Sequence, residues 1–313
     1  MSNLIVSPSP HLHSGNSLEK IMVDIMIALL PCVGFAIYLF GIAAIKVIII
    51  SMISAVLWEV FFQVITRRPI KIKDLTSLCY GLIFAMVLPP TLPWWIILVG
   101  TFFLVLLGKE IYGGYGTNPF NGVLISWVIL KMSFPDYMGK WIVPLQDIAT
   151  SKTPLEVFKS EGIDFVHHYF SYSNMFWGFV PGFMGQISGA AIIAGGLYLI
   201  LRKRINWRIP VSYILGLFIF SGIFWLLGSS SFGDPIFHLL SGGALFVAFF
   251  LATDIPSTPV TPQGMVLFGL FAGMLTVIIR VWGTWTFGAY YAVLIISLIT
   301  PFLDKITPEP YGR

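Results

Sequence analysis

Asp147-Ile148-Ala149-Thr150-Ser151-Lys152-Thr153-Pro154-Leu155 is a short polar stretch in a chain that is otherwise strongly apolar. It lies inside the longest break in the apolar pattern, residues 133–173, and the sequence divides into two halves around it. Charged residues make up 10% of the 313 and apolar types 57%, with a mean hydropathy of +0.88. A soluble domain carries about 25% charged residues, so this chain has too few to cover a surface in water. It reads as an integral membrane protein. Five apolar runs precede the break and five follow it, which predicts an all-α polytopic fold of about ten transmembrane helices.

Working outward from the break toward the N-terminus, the runs are 120–132, 94–107, 75–88, 42–66 and 21–41. The first of these in chain order, 21–41, is about long enough to cross a ~30 Å hydrocarbon layer. Pro31 inside it predicts a kink of a kind that membrane helices tolerate. The short third run stops at Pro89-Pro90, and Trp94 and Trp95 suit an interfacial anchor. Beyond the break, 175–187 holds Gly178, Pro181, Gly182 and Gly185 and reads as a broken lead-in to 189–201. The runs 211–227, 235–252, 264–282 and 288–303 complete the second set. The expected organisation is an N-terminal arm (1–20), a first five-helix group (21–132), a loop (133–173), a second five-helix group (174–303) and a tail (304–313).

Lysine and arginine set the expected orientation. With ten crossings and both ends in the cytoplasm, 12 of the 18 basic residues fall on the cytoplasmic side and 6 on the other, as the positive-inside rule requires. The 133–173 loop then faces outside. The halves also echo one another. Gly81-Leu-Ile-Phe-Ala-Met-Val-Leu-Pro-Pro resembles Gly243-Ala-Leu-Phe-Val-Ala-Phe-Phe-Leu-Ala, and each leads into a Pro/Thr-rich turn. Five crossings per half is odd, so such a repeat must be inverted in the membrane.

Several classes are set aside. The net charge of +4 does not point to nucleic acid, because the basic residues lie between apolar runs, where topology needs them. The polar first twenty residues do not read as a secretory signal. Cys32 and Cys79 fall in separate apolar runs, with no CxxC and no Cys/His cluster for zinc or iron–sulfur.

Ionisable residues within membrane segments are functional candidates by default. Asp24, Glu59 and Asp254 are the acidic ones. Asp254 has two readings: a ligand for a hard cation such as Na+, with Thr253, Ser257 and Thr258 nearby, or a helix-end carboxylate in cytoplasmic water. Arg280 is either a counter-charge on the outer side or a snorkelling side chain. His167-His168 reads as surface. The central stretch itself, D-x-x-T-S-x-T-P-L, offers hydroxyls on a polar, outward-facing turn open to a modifying enzyme, or else is an ordinary Thr/Ser loop.

A wider set of motifs decides between these. They include Leu88-Pro89-Pro90-x-Leu92-Pro93-Trp94-Trp95, Asn118-Pro119-Phe120-Asn121, His238-Leu-Leu-Ser-Gly-Gly, Ala252-Thr253-Asp254-x-Pro256 and Ile279-Arg280-x-x-Gly283. With these the chain resembles, over nearly its whole length, the D subunits of the Rnf ferredoxin:NAD oxidoreductase complexes. It is similar, more distantly, to the B subunits of the Na+-translocating NADH:quinone reductases. The resemblance implies a urea-transporter-like layout and an FMN joined through its phosphate to a threonine. The family's acceptor ends a motif D-x-x-(S/T)-G-A-T. Asp147 and Thr150 match it, Thr153 is the implied acceptor and Thr150 the alternative, while Ser151 and Lys152 depart from the usual Gly-Ala. Gln186 stands where relatives often carry Glu. Arg280 would be a counter-charge for the flavin phosphate. A riboflavin held without a covalent bond is also implied.

The implied function is an electron relay in a complex whose redox energy drives Na+ or H+ across a bacterial or archaeal cytoplasmic membrane. The implied partners are the other Rnf subunits, among them a second flavin subunit and iron–sulfur subunits, together with a flavin transferase and the lipid bilayer. The competing class is a passive channel or carrier on the same inverted-repeat fold, which has no need of a flavin tether.

Overall fold

The computed structural model describes residues 17–70, 72–145, 151–186, 188–228 and 232–306, and it is built of helices. Helix α1, Leu18–Phe40, starts at Ser17, whose hydroxyl accepts the Lys20 amide at 3.3 Å. Such an N-cap satisfies one of the donors that a helix start leaves without a partner. Helix α2, Ile42–Ile65, follows after the single residue Gly41, at φ 58°. A residue without Cβ takes that backbone angle at little cost, so two long helices reverse direction in one step.

Four helices are long and apolar enough to cross a membrane: α1, α2, α10 (Arg208–Leu227) and α13 (Pro262–Trp282). The chain is therefore membrane-embedded. Shorter apolar helices fill the space between them: α3 (Thr76–Met86), α4 (Trp94–Val105), α5 (Gly122–Ser133), α9 (Gly189–Leu201) and α14 (Gly288–Ser297). In the first half α2 packs on α3 and α4; in the second, α10 packs on α11 (Pro235–Leu240) and α13. Helices α10 and α13 come together through small residues, for a Cβ on Gly273 would strike the Tyr213 carbonyl. That is how membrane helices approach closely when apolar burial alone gives no preference over lipid.

Two sequence expectations differ from the structure. The run 235–252 is not one helix. It breaks at Ser241–Gly243, where Gly242 and Gly243 both have positive φ, and resumes as α12 (Ala244–Phe246) and a π-helical turn, Val247–Leu251. The stretch 133–173 is not simply a loop. It carries α6 (Pro154–Glu161), α7 (Ile163–Tyr169) and the start of α8 (Tyr172–Trp177). Leu155, Val157, Phe158, Ile163 and Val166 from these helices form a second small core with Phe237 of α11. These helices are too short and too polar on average for hydropathy to reveal them.

The two halves cap each other's broken helices. The amides of Met184 and Gly185, from the turn after α8, donate to the carbonyls of Leu88 and Met86 at the end of α3, at 3.3 and 2.7 Å. In the opposite sense, Asn121 before α5 donates its side-chain amide to the Leu251 carbonyl at 3.1 Å. Backbone groups without partners cost several kcal/mol in hydrocarbon, so each half supplies what the other's irregular backbone lacks. The main core runs continuously through both halves.

Candidate functional site

Thr153 is the N-cap of α6. Its hydroxyl accepts the Glu156 amide at 3.3 Å, and the Glu156 carboxylate accepts the Thr153 amide at 2.9 Å. This reciprocal capping box follows from the sequence Thr153-Pro154-Leu155-Glu156, with proline at the first helical position, where its missing N–H costs nothing. Trp141 holds the other Glu156 oxygen with its indole N–H at 3.0 Å. The hydroxyl is not on an open turn, for Thr153 is only 2% exposed. It borders a crevice shared with Gly182 and Gln186 from the turn after α8, Ser241 and Gly242 from the break after α11, and Phe287. Asp147 and Thr150 lie outside the described residues.

The break at Ser241–Gly243 is held by Arg280 near the end of α13. Its guanidinium is 0% exposed. It donates to the carbonyls of His238, Ser241 (2.9 Å) and Gly242 (3.3 Å). These carbonyls belong to the end of α11, where the helix dipole places partial negative charge. Arg280 is thus neither snorkelling nor turned to water. A Cβ on Gly242 would strike both Arg280 and Leu155 of α6, and one on Gly243 would strike Gln186 and the Tyr290 hydroxyl. The glycine pair therefore brings α6, α13, α14 and the turn at Gln186 into one place.

Polar atoms without protein partners gather here: Arg280 Nε, Ser241 Oγ, Gln186 Oε1, Tyr290 OH and, on the ring stacked 4.4 Å from Tyr290, Trp127 Nε1. Buried polar groups are almost always satisfied, so this concentration marks a place built to hold something polar. Most of these atoms are donors or carry a hydroxyl, and with the arginine charge the arrangement suits an acceptor-rich, anionic group. His238 in α11, flanked by Phe158 and Phe237, also has both ring nitrogens unpartnered.

Lys159 closes the outside of this region by donating to the Gly283 carbonyl at 2.7 Å. Burial, and then the charge of Arg280, lower its pKa to about 8.

Asp254 is far from this crevice. It precedes α13 whereas Arg280 is near its end, and 21 residues of helix span about 30 Å. Tyr80 and Ser257 donate hydroxyls to its carboxylate, the latter at 3.0 Å. Other charges cluster at the same end. Asp24 accepts from Arg204, Arg202 and Tyr198 of the second half. Lys109, in the π-helical turn Leu106–Glu110 after α4, bonds Glu59, Thr76 and, at 3.2 Å, Asp74. Asp24 and Glu59 thus have structural partners. No group of three or more His, Cys, Asp and Glu is placed to hold a metal among the described residues. Sequence reasoning singled out Thr153, Arg280, Gln186 and the His238–Gly243 motif, but it missed Trp127 and Tyr290. Their place in the site comes from the tertiary fold, with no local signal.

A helical membrane protein with two mutually capped halves and a buried, donor-lined crevice at a capped threonine is the class these features define. Within it, the chain belongs to the NQR2, RnfD, RnfE family, which it matches over residues 5–312. It is 37% identical over 310 residues to the D subunit of the Na+-translocating ferredoxin:NAD+ oxidoreductase complex of Acetobacterium woodii, covering 98% of this chain and 94% of that one. It is also 37% identical to the D subunit of the proton-translocating ferredoxin:NAD+ oxidoreductase complex of Clostridium ljungdahlii, with 98% and 96% covered. A third relative, the D subunit of the ion-translocating oxidoreductase complex of Yersinia pseudotuberculosis, is 32% identical with 98% of both chains covered.

Proposed function

We propose that this chain is a membrane subunit of an ion-translocating ferredoxin:NAD+ oxidoreductase, not catalytic alone, and that it relays electrons through an FMN esterified by its phosphate to Thr153. The observation that carries this reading is the position of Thr153 at a helix N-terminus, opening into a crevice of unpartnered buried donors beside Arg280. When bound, FMN supplies one- and two-electron chemistry that protein side chains do not.

The residues present fit that group. Esterification replaces the Thr153 hydroxyl proton with phosphorus and leaves the ester oxygens at the start of α6. Amides and dipole there favour an anion. Ser241 and Arg280 Nε offer unpartnered donors on the facing wall. The terminal nitrogens of Arg280 are engaged by carbonyls, so its charge acts from a fixed place. The Trp141 bond keeps the Glu156 carboxylate oriented. Asp147 and Thr150 complete the motif that a flavin transferase would read.

The finer layout belongs to the same proposal. The segments make ten crossings in two inverted, urea-transporter-like groups, both termini are cytoplasmic, and α6–α8 lie on the outer face. Other subunits of the complex bring iron–sulfur centres and a second flavin to this chain, and a riboflavin binds without a covalent bond. Asp254 and Ser257 offer oxygens to a hard cation at the face opposite Thr153. The relatives' names include both Na+ and proton translocation, and the proposal covers either ion.

The test is flavin fluorescence in a denaturing gel of the chain made alongside its flavin transferase. Fluorescence in the wild type and in Thr150→Val, with loss in Thr153→Val, is the expected result. A dark wild-type band, in cells that flavinylate other proteins, would sink the relay and favour a passive channel on the same fold.

A further inference from the structure

Beyond the crevice, on the other side of Phe287, lies a larger cavity of about 320 Å³ at the ends of α5 and the start of α14. Its walls include Trp127, Lys131, Trp285, Phe287 and Tyr291. Phe287 also lines the crevice at Thr153, so one ring separates the two spaces. The size is at the lower end for small-molecule sites, and an apolar wall with few polar groups is their usual character.

Three features narrow the occupant. The walls are aromatic, with Trp285 and Tyr291 centroids 4.0 Å apart and Trp127 in edge contact with Tyr291 at 5.5 Å, which suits a planar conjugated ring. Trp127 is fully buried and its indole N–H has no partner, so the wall has a donor to give. Lys131 brings a positive charge, 5.8 Å from the centre of the Phe287 ring. At the mouth, Trp285 is 45% exposed. A planar, partly anionic heteroaromatic ring with acceptors at one edge satisfies all three.

We propose that this cavity docks the isoalloxazine ring of the flavin held at Thr153, with Trp285 as its cover and Lys131 as the cation beside its pyrimidine edge. The inference rests on the flavin reading above and adds where the ring lies and which residues tune it. Uptake of two electrons and one proton by an oxidised flavin leaves one net negative charge, centred on the pyrimidine ring. A cation fixed there favours the reduced form and raises the potential. Lys131 is a positioning and tuning residue in this account, with no bond made or broken at its amine.

The experiment uses the full chain purified with its covalent flavin, in wild type, Trp285→Leu, Lys131→Met and, as a control at the start of α10, Trp207→Leu. Peptide mass reads the flavin at Thr153, fluorescence of the folded protein reads ring stacking, and a redox titration reads the potential. The expected result keeps the FMN mass at Thr153 in every variant. Fluorescence rises at least threefold in Trp285→Leu and is unchanged in Trp207→Leu. In Lys131→Met, a tenfold loss of preference for the reduced flavin lowers the two-electron midpoint by about 30 mV. Retained FMN with wild-type fluorescence and potential in both cavity variants would overturn the dock while leaving the tether standing. A wild-type peptide without FMN would remove the reading beneath it, and the dock with it.

Discussion

The amide of Gly185 donates to the carbonyl of Met86 at 2.7 Å, so a turn from the second half of the chain caps a short helix of the first. A Cβ on Gly185 would strike Met86 and Phe246. Gly185→Ala should therefore push the turn off α3 and leave its last carbonyls without donors. A buried group left unpaired costs about 1–3 kcal/mol. We expect a lower melting temperature in detergent and faster proteolysis between the halves; a melting curve unchanged from wild type would argue against the capping role.

Arg280 is the corresponding device in the second half. Arg280→Met removes the donors from the carbonyls of His238, Ser241 and Gly242, at about 1–3 kcal/mol for each group left unpaired. Arg280→Lys keeps the charge and should recover part of the loss. Thermal melting of the three forms is the measurement. Equal stability of the methionine and wild-type proteins would contradict the structural role of the guanidinium.

The membrane class is legible in the sequence, because no soluble fold accommodates so little charge. So are the places where the chain is interrupted: Pro181-Gly182 and Ser241-Gly242-Gly243 are visible as helix breakers. The capping box at Thr153–Glu156 is equally readable, yet the polar composition around it suggests an open turn. What cannot be read is tertiary. Nothing local says that Gln186 and Tyr290, 104 residues apart by subtraction of their numbers, flank the same glycine. Nor does hydropathy separate one long helix at 235–252 from two short ones with a π-helical turn.

Asp24 and Arg204 form an ion pair between α1 and the end of α9, with both side chains largely buried. Removing one partner of such a pair costs about 3–5 kcal/mol, whereas replacing both by apolar groups is often nearly neutral. Asp24→Leu alone should destabilise the chain strongly, and Asp24→Leu with Arg204→Met should recover much of the loss. Additive losses in the double variant would count against a direct coupling.

Lys159 should show its low pKa as reactivity. Its folded pKa of about 8 is below its ordinary 10.5 because burial and Arg280 disfavour the ammonium. Between those two values the unfolded chain binds the extra proton, so stability rises with pH across that window. The strain of charging Lys159 is present below about pH 8. Acylation of the native protein, followed by peptide mass, should show Lys159 labelling with a midpoint near pH 8, well before the exposed lysines. A midpoint shared with the exposed lysines would contradict the burial described for this side chain.

The proposed electron relay turns on Thr153. The most direct test is the mass of its peptide, taken from the chain purified out of its native membrane. An increase equal to one FMN in phosphoester linkage, placed on Thr153 by fragmentation, is the predicted result. An unmodified Thr153 peptide, from cells whose other flavin-esterified proteins carry their cofactor, would contradict it.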